Sequence, residues 1–127
     1  MAAGVFEGLD TVIVRVRDVD AAAAWYREKL ELVPTFEDPE ARLVVLDLGG
    51  STSLTLWQLA RIDVPPVPGA ATSYPIFSVR DVERVWNTLR DRGVLVEPVV
   101  EGGGVRWFEF RDLDGNRLEA CQAVAGP

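Results

Sequence analysis

A supersecondary pattern that occurs twice limits this chain more than any other feature of its sequence. Val-Arg-Asp-Val stands at residues 16–19 and again at 79–82, an interval of 63. Around those tetrads, "VRVRDVDAAAAWYREKL" from Val14 parallels "FSVRDVERVWNTLRDRG" from Phe77. Farther on, "LDLGGSTSLTLWQ" from Leu46 parallels "RDLDGNRLEACQ" from Arg111 with one residue of length difference. Two segments repeated in the same order at nearly the same interval imply one structural unit present twice. With 127 residues the chain suits one domain with a substantial core better than two independent ones. A single domain over 1–127 is therefore expected, with a first module at about 9–58, a connection at 59–73 and a second module at about 74–122.

Each module reads as strand, helix and three strands. Leu9 to Val16 and Tyr74 to Val79 are rich in β-formers, and Val12, Val14 and Val16 alternate with Thr11, Ile13 and Arg15. Asp18 and Asp81 stand where a carboxylate can accept hydrogen bonds from the free amides of a first helical turn. Val19, Ala22, Ala23, Tyr26 and Leu30 then share one side of a helix, as do Val82, Val85, Trp86 and Leu89, and these stripes should cover the valine face of the strands. Further strands are predicted near 33–37, 42–48 and 52–58, and near 96–100, 105–111 and 117–122. Pro39, Gly49-Gly50, Gly102 to Gly104 and Asp114-Gly115-Asn116 occupy the turns. The Pro-rich "LARIDVPPVPGAATS" at 59–73 has the length of a link between subdomains rather than between neighbouring hairpin strands. The class is α+β, two tandem βαβββ modules with helices outside and a trough between curved sheets.

Composition excludes several functions. The 20 acidic and 13 basic side chains give a net charge of −7, which repels polyanions, so nucleic acid is not expected as a partner. No uninterrupted apolar run approaches the roughly 18 residues needed to span a bilayer, so no membrane partner is expected. "MAAGVFEGLD" lacks the basic flank and apolar core of a secretory signal, and a cytoplasmic location is expected. Cys121 is the only cysteine, and there is no histidine, which removes the commonest transition-metal ligand and the usual acid/base group near neutral pH. Any chemistry must come from carboxylates, tyrosine, Cys121 or backbone.

The strand-to-helix "VIVRVRDVDAAAAWY", its echo "YPIFSVRDVERVW" and the terminal "FEFRDLDGNRLEA" resemble the glyoxalase/bleomycin resistance/dioxygenase group, the vicinal oxygen chelate superfamily, from about Leu9 to Gln122. The resemblance implies paired βαβββ modules in a partly closed eight-stranded mixed barrel, commonly in homodimers. Metal-using members hold a divalent ion with side chains from the first and fourth strand of each module. Those positions fall here on Thr11, Tyr74, Thr55 and Glu119. One carboxylate, two hydroxyls and a phenol gain little over water as ligands, so neither metal nor other cofactor is expected. A small-molecule binding protein, sequestering a toxic or antibiotic compound, is the function implied; a glyoxalase-like lyase/isomerase or a dioxygenase is the alternative.

Strand alternation supplies the candidate binding set. Thr11, Ile13 and Arg15 share a face of the first strand; Ser53, Thr55 and Trp57 share one of the fourth; Tyr74, Ile76 and Ser78 share one of the fifth; Arg117, Glu119 and Cys121 share one of the eighth. Trp57, with Trp107 or Phe108 depending on register, offers a stacking surface for a planar ligand. The substrate-binding candidates are Thr11, Ile13, Arg15, Thr55, Trp57, Tyr74, Trp107, Arg117 and Glu119, and the catalytic candidates are Glu119 and Tyr74. Arg15 is either a carboxylate's partner or an anion anchor. Glu119 is either ion-paired to Arg15, Arg106 or Arg117, or a proton acceptor for a bound ligand. Trp25 and Trp86 read as helix packing residues, and Cys121 as a small buried filler, since no histidine activates it.

Overall fold

A computed structural model describes residues 4–65, 67 and 71–124. The chain divides into two compact units with the boundary between residues 65 and 66. Within the predicted connection, Pro66, Pro68, Gly69 and Ala70 lie outside the described residues, as do Met1 to Ala3 of the N-terminal segment.

In the first unit, β1 (Thr11–Val16) leads into α1 (Val19–Leu30), followed by β2 (Pro34–Asp38), β3 (Leu43–Asp47) and β4 (Ser53–Gln58). Asp18, extended at φ −140° and ψ 109°, accepts the amides of Asp20 and Ala21 and so starts α1. The helix stops at Glu31, which turns left-handed at φ 60°. The sheet order is β1-β4-β3-β2, with β1 and β4 parallel and the other ladders antiparallel. Val14 and Val16 of β1 and Leu54 and Leu56 of β4 are buried together with Val19, Ala22 and Tyr26 of α1, the valine face and helix stripe predicted from periodicity.

The second unit repeats the plan with β5 (Ile76–Ser78), α2 (Val82–Asp91), β6 (Val100–Gly102), β7 (Val105–Arg111) and β8 (Arg117–Ala123), in the sheet order β5-β8-β7-β6. Asp81 accepts the Arg84 amide at the start of α2. Val82, Leu89, Phe108, Phe110, Leu118 and Ala120 form the core. The ladders therefore make two four-stranded mixed sheets, one in each unit, as the two βαβββ modules implied.

Two strands are shorter or shifted relative to the sequence pattern, and proline explains both. The expected strand at 96–100 is replaced by β6 at Val100–Gly102, with Val96 making only an isolated bridge to Phe110. Pro98 has no N–H to continue a ladder there. Pro75 likewise shortens the strand expected from Tyr74: its carbonyl accepts the Glu119 amide, but pairing in register begins only at Ile76. Between β6 and β7 the two-residue turn needs positive φ at both positions, and Gly103 (60°) and Gly104 (79°) supply it.

A glutamine clamp recurs in both units and was not read from the sequence. Gln58, the last residue of β4, accepts the Val19 amide at 3.0 Å, and Gln122 of β8 accepts the Val82 amide at 2.8 Å. Each ties the first turn of a helix to the final strand of its module, satisfying an amide that has no partner within the helix. Gln58 also accepts from Arg42 at 3.0 Å. Gln122→Ala leaves the amide of fully buried Val82 without an acceptor and should cost about 1–2 kcal/mol in urea unfolding. Gln122→Glu, which keeps an acceptor beside the positive helix terminus, should lose less.

Candidate functional site

Strand register carries the duplicated sequence into space. Ile13 pairs with Thr55 in the first sheet, and Ile76 pairs with Glu119 in the second. Thr55 and Glu119 are thus equivalent positions, as are the two isoleucines, and Thr11 corresponds to Tyr74 two residues ahead of each. In-register partners project to the same side of a sheet. Apart from Tyr74, which precedes β5, the residues grouped by alternation accordingly share the side of each sheet opposite its helix.

In the first unit that side begins with a row of Phe36, Val45, Thr55 and Ile13, one residue from each strand. Thr55 is buried, whereas Ile13 is 50% exposed and Phe36 58%. The Thr11 and Thr55 hydroxyl oxygens are 2.7 Å apart, and Thr11 Oγ1 also lies 3.2 Å from the Ser53 carbonyl. If both contacts are made at once, Thr55 donates to Thr11, which donates to Ser53, because each hydroxyl carries a single proton.

The next row sets Arg15 beside Trp57. The guanidinium lies 4.4 Å from the indole ring centre and donates to the carbonyls of Trp57 and Gln58 and to Asp63 at 2.8 Å. Arg15 is thus a carboxylate's partner, and that partner, Asp63, comes from the connection rather than from a strand. The Ala60 amide, and then Arg15, hold the Asp63 carboxyl below the ordinary aspartate range despite an opposing desolvation effect. The indole N–H of Trp57 donates to the Ala41 carbonyl at 3.1 Å, which anchors the ring to the β2–β3 turn.

In the second unit the same side carries a checkerboard of charge. Glu109 and Glu119 are directly opposite across β7 and β8, and Arg111 and Arg117 are opposite in the next row of that face. Like charges facing across a ladder repel, but here each one's neighbours along the strand and on the diagonal carry the opposite sign. Arg117 Nε and NH2 lie 3.2 and 2.5 Å from Glu119 Oε2, and Nε lies 3.5 Å from Glu109 Oε1. Arg111 hydrogen-bonds the other Glu109 oxygen, Oε2. The Arg117 guanidinium also lies 4.2 Å from the centre of the Tyr74 ring, a cation–π contact. Its hydrogen bond to Glu119 raises its pKa above the ordinary arginine value, against desolvation.

Of the three arginines considered for Glu119, Arg117 is the partner; Arg15 binds Asp63, and Arg106 pairs with Glu83 and Glu101. Trp107 shares a row with Cys121 on the helix-opposite side, while Phe108 is fully buried in the core. Cys121 is half-buried. Trp25 and Trp86 are also half-buried, the latter donating its indole N–H to the Glu97 carbonyl at 2.8 Å. Sequence reasoning missed Glu109 and Asp63. The first was accessible through the alternation Trp107, Glu109, Arg111; the second has no strand pattern to reveal it.

With this duplicated topology in view, the family model for the Glyoxalase/Bleomycin resistance protein/Dioxygenase superfamily matches residues 8–120. The chain belongs to this superfamily. TnmS3, an antibiotic binding protein from Streptomyces sp. CB03234, shares the fold at a TM-score of 0.80 and 22% identity, over 95% of this chain and 99% of that one. The glyoxalase family protein from Enterococcus faecalis gives a TM-score of 0.76 at 26% identity, over 91% and 98%. Lactoylglutathione lyase from Agrobacterium tumefaciens gives 0.72 at 21% identity, over 93% and 95%. No curated protein matches the chain.

The residues onto which the resemblance carries the superfamily's metal positions are, in each unit, poor donors for a divalent ion. Thr11 and Thr55 offer neutral hydroxyls in contact with each other, the Tyr74 ring packs against a guanidinium, and Glu119 is paired to Arg117. A cation entering at Glu119 would meet the positive charge of Arg117 within hydrogen-bonding distance of the carboxylate. Among the described residues no group of three or more His, Cys, Asp or Glu is placed to hold a metal.

Proposed function

We propose that this superfamily member is a small-molecule binding protein that works without a bound metal and sequesters a toxic or antibiotic compound. The observation that carries the reading is the fate of the four metal positions, which are occupied by a hydroxyl pair, a phenol stacked on arginine and an ion-paired carboxylate. The same sides of the sheets present apolar and aromatic surface: Ile13 and Ile76 are exposed, and Trp57 is 39% exposed with its N–H fixed by Ala41. Each of these faces suits a planar organic molecule with a few polar groups. The antibiotic binding role of TnmS3, on the same fold, is in keeping with it. Thr11, Ile13, Arg15, Thr55 and Trp57 of the first unit, and Tyr74, Trp107, Arg117 and Glu119 of the second, are the contacts in this proposal.

The test is a titration of aromatic antibiotics followed by tryptophan emission, with a chelator present throughout. Saturable quenching that persists under chelation, and shrinks in Trp57→Phe, is the expected result. Binding that appears only after a divalent ion is added would overturn the metal-free reading, and no saturable response to any compound would overturn binding itself. In the rival reading, a lyase or isomerase with Glu119 as base and Tyr74 as donor, the proton would go to Oε1 of Glu119, because Oε2 is taken by Arg117.

A further inference from the structure

Glu119 is 5% exposed, and both Arg117 contacts go to a single one of its oxygens, Oε2. Among the described residues no donor reaches Oε1. No polar side-chain atom sealed from solvent lacks a partner among those residues either, so Oε1 opens to solvent. The result is an unusual polar atom, a carboxylate oxygen on a buried side chain, held in place by a paired arginine and left with its own acceptor capacity unused. A charged acceptor of this kind gains from a donor and loses from a second anion. Its neighbours on that side of the sheet are exposed Ile76, in register with it, and Glu109, both of whose oxygens lie near arginine nitrogens.

Resting on the small-molecule-binding reading above, we propose that the ligand brings a hydrogen-bond donor, a hydroxyl or a protonated amine, to Oε1 of Glu119, with its apolar body against Ile76. Arg117 acts as a positioning residue in this scheme: clasped by Glu109, Glu119 and the Tyr74 ring, it fixes the carboxylate so that one oxygen is always presented. The site therefore discriminates by donor count and charge, accepting phenols, alcohols and ammonium groups and rejecting carboxylates.

Three naphthalenes of one ring system separate the possibilities by isothermal titration calorimetry near neutral pH: 2-naphthol, 2-methoxynaphthalene and 2-naphthoate. The first two are neutral, so the overall negative charge of the protein does not bias the comparison between them. The naphthol should bind about tenfold or more tightly than its methyl ether, the scale of a hydrogen bond to a charged acceptor, and the naphthoate should bind least. In Glu119→Gln the advantage of the naphthol should fall to about twofold or less. Equal binding of naphthol and ether by the unaltered protein overturns the Glu119 assignment while leaving small-molecule binding intact, and this comparison decides even if the variant does not fold. An undiminished advantage in a folded Glu119→Gln also overturns it. If none of the three binds saturably, the inference and the function beneath it fall together.

Discussion

Phe108→Ala should lower unfolding stability by about 3–5 kcal/mol, a large share of what a domain of this size possesses. Phe108 has no exposed surface, packs against Phe110 with ring centres 5.7 Å apart, and lies opposite small Ala120 across the β7–β8 ladder. Because Ala120 is already small, little side-chain volume stands ready to relax into the space left behind. Trp107→Ala is the matched control. The adjacent residue removes a larger side chain from the opposite, partly exposed side of the same strand and should cost only about 1 kcal/mol. Urea midpoints for the two variants test the assignment of faces directly. Similar losses would mean that β7 does not separate core from surface as its register implies.

Arg117→Met should be the second most damaging change, at about 2–3 kcal/mol near neutral pH. Removing one member of a buried ion pair leaves the other charge uncompensated, which commonly costs more than this. Arg117 is 34% exposed at its side chain, so water screens part of the loss. What remains is Glu119 directly opposite Glu109 across the ladder, with Arg111 beside only one of them. Combining Arg117→Met with Glu119→Gln should recover much of the stability, the signature of two coupled residues. A deficit below about 0.5 kcal/mol, or no recovery in the double variant, would show that the checkerboard is not held together by Arg117.

The sequence by itself determined the duplicated module, the two Asp caps, the helix stripes and the side of each sheet on which the candidates of β1, β4 and β8 lie. All of these follow from short-range periodicity and from the repetition of a pattern at a fixed interval, which need no knowledge of what approaches from elsewhere. Even the equivalence of Thr55 with Glu119 came from the repeat, and the parallel ladders place them in matching registers. Strand ends were less legible where Pro75 and Pro98 withhold an N–H, since the apolar pattern continues through a residue that cannot join the ladder.

Only the tertiary structure decided the polar partners. Three arginines were compatible with Glu119 by sequence; the guanidinium that meets it is that of Arg117, two residues along the same strand face, and the β7–β8 register brings Glu109 across the ladder to steady it. Asp63 reached Arg15 from outside any regular element, and Gln58 and Gln122 reached helix amides about 40 residues away in the chain. Long polar side chains choose partners by where their ends meet after folding, within a few ångströms and with the right direction. Backbone periodicity fixes where a side chain starts, but not which distant group its tip will find.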